Sequence, residues 1–63
     1  MYGIMGKVKG EKKFKPLDYQ NLRFVTNVIH QTLWDSKDEP QKIVDELNED
    51  NKGNIEFKLI ERA

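Results

Sequence analysis

Apolar and polar positions alternate at the start of the chain. Tyr2, Ile4 and Val8 share one parity with Gly6 between them, and a Lys9-Gly10-Glu11 turn hands over to a second short run around Phe14. Alternation broken by a glycine turn predicts a β-hairpin. Pro16 has no N–H to give a ladder, so the second strand ends there or lies at an edge, and Asp18 to Asn21 reads as a turn. Phe24 to Trp34 fits two patterns, because Val25, Val28, Ile29, Thr32 and Leu33 form a helical stripe inside a stretch dense in β-branched residues. It is read as a strand: Val25, Thr26, Val28, Ile29 and Thr32 fill a helix poorly, and helix-start chemistry follows Trp34 at once. A helix from Tyr19 to Trp34 capped by Asp18 is the competing reading.

The next element is clearer. Pro40, Ile43, Val44 and Leu47 recur at helical spacing with Asp, Glu, Gln and Lys between them. Ser36 and Glu39 match a capping box but would put Pro40 at the fourth helical position. Asp38 as the cap keeps Pro40 in the first turn and is preferred. Gly53 is expected to stop the helix in a left-handed turn. Ile55, Phe57 and Leu59 then alternate with Glu56, Lys58 and Ile60 as a half-buried strand. The expected fold class is α+β: a small antiparallel sheet with one amphipathic helix packed on one face, in the order β-β-β-α-β, or β-β-α-α-β on the competing reading. The expected core is Ile4, Val8, Phe14, Val25 or Val28, Ile29, Leu33, Ile43, Val44, Leu47, Ile55, Phe57 and Leu59.

Length makes this a single domain over 1–63. A chain of 63 residues hides only ~60% of the surface that its unfolded form exposes, which leaves a stability of roughly 3–5 kcal/mol. The chain has no cysteine, so no disulfide or thiolate metal site adds to that. Burial against a partner, or in a homodimer joined through a sheet edge, would. The lack of cysteine fits a reducing cytoplasm, and no apolar run has the length of a signal peptide or a membrane span.

The formal net charge is zero, but its distribution is uneven. Residues 1–16 carry five lysines against Glu11, a net +4, while residues 35–52 carry seven carboxylates against three lysines, a net −4. A dipole with a basic end and an acidic end is expected.

Catalytic signatures are missing. The chain has one serine and one histidine, Ser36 and His30, and both read as structural: a helix-start residue and a solvent-facing strand residue. Asn48 to Ile55 resembles the middle of a calcium loop, yet Lys52 stands at the fifth place and Leu59 at the twelfth, where oxygen ligands belong. Gly3, Gly6 and Gly10 match no phosphate-loop spacing. The chain is therefore read as a non-enzymatic binding module with no metal and no cofactor.

Two surfaces carry the functional expectation. The acidic helix, through Asp38, Glu39, Asp45, Glu46 and Glu49, can dock on a basic protein surface, with Trp34 as anchor if exposed and core lid if not. The alternative is nucleic-acid binding through Lys7, Lys9, Lys12, Lys13 and Lys15, a basic ribbon with Tyr2, Phe14 and Tyr19 nearby. Lysine on exposed strands also protects sheet edges, which is the structural explanation for the same residues.

The run from Gly6 through Lys15-Pro16-Leu17-Asp18, then Phe24 to Ile29 leading to Leu33-Trp34, a helix and an Ile55-Glu56-Phe57 strand, is similar to short uncharacterised proteins of gut-bacterial genomes and of their phages and mobile elements. The resemblance spans nearly the whole chain and includes no catalytic motif. It implies a stand-alone accessory protein, with an inhibitor or assembly factor as the natural roles in a phage setting, and it assigns no activity to any residue.

Overall fold

The computed structural model describes residues 1–62. Its centre is strand β1, Tyr2–Val8. Along one edge β1 pairs with the last strand, here β5, Ile55–Glu61, in an antiparallel ladder from Tyr2 opposite Glu61 to Val8 opposite Ile55. Its other edge is shared by two short strands. β2, Lys15–Asp18, lies against Met5 and Gly6, and β4, Leu33–Trp34, lies against Tyr2 and Gly3. β3, Arg23–Phe24, pairs outside β2. The helix α1, Asp38–Asp50, covers one face. The α+β class and the single helix on an antiparallel sheet are as read from the sequence; the sheet has five strands.

Parity assigns the two faces. Ile4, Gly6, Leu17, Phe24, Trp34, Phe57 and Leu59 share the helix-covered face, and Ile4, Leu17, Val44 and Phe57 form its buried centre. Gly6 lies under an aromatic stack. The Phe24 and Phe57 rings sit 6.1 Å apart at 25°, and a Cβ on Gly6 would come within 2.4 Å of Phe24 and 3.1 Å of Phe57, so the ring packing requires glycine. Gly3 faces the back of the sheet, where a Cβ would lie 2.6 Å from Gln31 Nε2.

The hairpin connection is longer than expected. It runs from Lys9 to Phe14, with Gly10 left-handed at φ 93°, before β2 begins at Lys15. Pro16 lies inside β2 rather than at its end. Its carbonyl accepts from Val25 N (2.9 Å), so its backbone groups face away from β1 and the missing N–H leaves the β1 ladder whole. The turn expected at Asp18 follows as Tyr19–Leu22, where the exposed Leu22 is left-handed at φ 50°.

The segment read as one strand from Phe24 to Trp34 is not one. It is divided into β3, a 3-10 turn at Val28–His30, and β4. Asn27 causes the break: its Oδ1 accepts from Ile29 N (3.0 Å), a local bond that competes with strand pairing. Val28 and Ile29, expected in the core, are exposed, Ile29 at 76%, while Gln31 is buried at 6%. Gln31 Nε2 donates to Ile4 O (2.9 Å) and fills the gap that β2 and β4 leave on the β1 edge. Val8 and Leu33 are also exposed. Phe14 and Val25 are half-buried and stand outside the buried cluster. Leu17, Tyr19, Phe24 and Trp34 supply the burial that those residues were expected to give.

The helix is capped one residue earlier than expected and begins at Asp38 itself. Lys37 is the cap and makes no side-chain cap bond, Gln41 N donates to Lys37 O (3.0 Å), and Asp38 and Glu39 fall in the first turn. Carboxylates suit the positive end of the helix dipole there, and the buried Pro40 occupies a position whose N–H would have no helical partner. At the other end Asn51 donates from N (3.0 Å) and from Nδ2 (2.9 Å) to Leu47 O, and Gly53, at φ 85°, turns the chain into β5.

Candidate partner-binding surfaces

Burial of Pro40 and Val44, with Ile43, Leu47, Asn48 and Asn51 half-buried, sets the rotation of α1. Asp38, Glu39, Asp45, Glu46 and Glu49 are all exposed, as is Asp50. Asp38, Asp45 and Glu49 recur at i, i+7 and i+11 along one line of the outward face, and Glu39, Glu46 and Asp50 recur along the next. Among the described residues the ion pairs are Lys15–Glu11 at 3.3 Å and Arg23–Asp18 at 3.2 Å. None of the helix carboxylates is within ion-pair distance of a cation, although the exposed Lys42 stands between the two lines, and Asp45 accepts from Gln41 Nε2 (3.1 Å).

Trp34 packs on the helix-covered face beside Tyr19, with ring centroids 5.9 Å apart at 55°, and is half-buried. Its exposed side lines an open cleft of about 390 Å³ together with Met1, Leu33, Asp35, Ser36 and Glu39. The fold thus joins Trp34 to the acidic helix at Glu39, so it is both a lid on the core and part of the surface.

The lysines do not form one ribbon. Lys15 is paired with Glu11, and Lys7 Nζ lies 5.2 Å from the centroid of the Phe14 ring. Lys58, which the sequence reading left out, approaches the same ring more closely, at 4.2 Å. Register brings it there: Lys58 stands opposite Met5 on the back of the sheet, on the side that carries Lys7. Lys9, Lys12 and Lys13 remain exposed in the hairpin turn. Lys7, Lys9 and Lys52 line a second groove, of about 640 Å³, together with Glu11 and Glu56.

The expected end-to-end dipole is corrected. Lys9 N donates to Asn54 O (2.8 Å), so the lysine turn sits beside the C-terminal end of the acidic helix rather than at the opposite pole. The carboxylates of α1 cover the helix side, while the back of the sheet is mixed, with Lys7 and Lys58 beside Glu56, which stands opposite Lys7.

Asp18 is the buried carboxylate among the described residues, where the sequence pointed to a turn or, on the competing reading, a helix cap. Asn21 Nδ2 donates to it at 2.8 Å, Arg23 Nε at 3.2 Å and Asn21 N at 3.3 Å. The Asn21 side chain does most to hold this carboxyl below the usual aspartate value; Arg23 adds to the effect, and partial desolvation opposes it. His30 ends the 3-10 turn and is exposed, as is Ser36 ahead of the helix. Among the described residues, no three or more His, Asp or Glu side chains gather closely enough to hold a metal ion. No helix among them is long and apolar enough to cross a membrane.

Compared with known protein families, with curated proteins and with solved structures, the chain matches none.

Proposed function

We propose that this chain is a non-enzymatic, cytoplasmic binding module, an accessory or inhibitor protein of the phage and mobile-element type, which docks the acidic face of α1 on the basic surface of a protein partner. One observation carries the reading: the outward carboxylates of α1 stand unpaired while two of the five hairpin lysines are engaged by Glu11 and Phe14. A lysine already engaged by its own chain gains less from a charged partner than a carboxylate left open. Two parallel lines of carboxylates on a rigid helix resemble a run of phosphates, so the fitting partner is a protein whose basic surface handles nucleic acid. Trp34, at the rim beside Glu39, supplies the apolar component such an interface needs.

The alternative, nucleic-acid binding through the hairpin, retains Lys9, Lys12 and Lys13. Immobilised protein exposed to bacterial lysate tests the first reading. Basic proteins should be retained, should elute with salt, and should be lost from a variant carrying Asp45→Lys and Glu46→Lys that remains folded. Retention of the same proteins by that variant overturns the interface. Titration of labelled protein with duplex DNA at about 50 and 200 mM salt tests the second, since shifts confined to Lys7–Lys15 and lost at the higher salt would replace the proposal.

A further inference from the structure

Strand β5 gives one edge to β1 and the other to no strand. Met1 N donates to Arg62 O (2.9 Å) and Arg62 N to Met1 O (2.7 Å), so the even-numbered residues of β5 bond to β1 and the odd-numbered residues point outward. Ile55 N is satisfied by Asn51 O (3.1 Å). At Phe57 a side chain replaces a strand: Asn48 Oδ1 accepts from Phe57 N (2.7 Å) and Asn48 Nδ2 donates to Phe57 O (3.0 Å). Leu59 and Glu61 have no such partner among the described residues. The helix does not cover them, because it is held to the edge at Phe57 and its other end lies by Trp34, across β1.

We propose that Leu59–Glu61 is the docking edge for a second copy of this chain, paired antiparallel about a two-fold axis at Ile60. In that register Leu59 faces Glu61 of the second copy and the reverse, and the outward N–H and C=O groups of both residues are satisfied on both sides. Ile60, half-buried on the back of the sheet, meets its own counterpart. Asn48 selects this register. A pairing centred on Leu59 would set Glu61 of the second copy against Phe57, whose groups Asn48 already holds. Lys58 would stand opposite Arg62 of the second copy, but each head group is drawn inward, Lys58 Nζ to 4.2 Å from the Phe14 ring centroid and Arg62 Nε to 2.6 Å from Gln31 Oε1.

The two sheets become one, and the axis, being perpendicular to it, sets both acidic helices on the same side. The edge is short, so the dimer is weak, with Kd between about 10 µM and 1 mM. The pairing stands whether or not the acidic face docks on a protein.

Amide exchange and sedimentation of the full chain at about 20 µM and about 1 mM test it. Protection at Leu59 and Glu61 should rise about two- to sixfold with concentration while Ile60 and Arg62 stay protected at both, as the change in paired population over that Kd range requires. Glu61→Pro removes one outward N–H and leaves the β1 ladder intact, and Ile60→Lys sets like charges on the axis; each should keep the chain monomeric with Arg62 still protected. A monomer at the higher concentration, a dimer whose Leu59 and Glu61 amides exchange freely, or a folded Glu61→Pro variant that still dimerises overturns the proposal.

Discussion

Asp18 shows how much a single side chain can hold together, since it accepts from Asn21 twice and from Arg23 while closing the turn between β2 and β3. Its lowered carboxyl pKa means that the folded chain binds this proton less readily than the unfolded one. The stability it contributes is therefore present above the unfolded aspartate pKa of about 3.9 and is lost as pH falls from there through the lower folded value. Urea midpoints measured between about pH 5 and pH 2 should fall for the native chain, and fall less steeply for Asp18→Asn. Parallel curves would show that these hydrogen bonds carry no net preference for the charged form. That Asp18 opens a turn was legible from residue type; that it would be buried was not, because Arg23 reaches it only once β3 has paired with β2.

At the level of elements, the local signals that succeeded share one property: they need no partner to be read. The helix stripe of Pro40, Ile43, Val44 and Leu47, the glycine turns and the alternation of Ile55, Phe57 and Leu59 are patterns of period and dihedral angle. Phe24 to Trp34 failed because β propensity reports only that a residue fits a sheet surface, and the β1 edge had room for two short strands and a glutamine. The helix is in turn tied to β5 by Asn48, through both groups of Phe57. Asn48→Ala should cost about 1–3 kcal/mol in a denaturant titration, as expected for two lost hydrogen bonds to a half-covered strand edge. A loss below about 0.3 kcal/mol would show that water replaces the amide without penalty.

Over the whole molecule, negative charge is concentrated on the outward side of α1. Unpaired carboxylates repel one another along α1, and only two ion pairs occur among the described residues, one of them largely exposed. Screening relieves the repulsion more than it weakens those pairs, so raising NaCl from about 20 to 500 mM should increase stability by about 0.5–1 kcal/mol. A decrease, read from thermal melts at the two salts, would mean that attraction between the lysine turn and the nearby end of the helix outweighs the repulsion along it.

The sequence by itself determined the fold class, the helix and the acidic outward face, because each follows from the period of one element and from which residues such an element must bury. The tertiary structure alone decided which lysines remain free, that Lys58 joins Lys7 at Phe14, that Trp34 meets Glu39, and that Gln31 and Asn48 take positions in the sheet. Gln31 meets Ile4 and Lys58 meets Phe14 across long stretches of chain, and the nearer pairs also depend on register and packing rather than on local period. Backbone groups left over when short strands fail to fill an edge must be satisfied by whatever the fold places beside them, and that choice is not written in any local pattern.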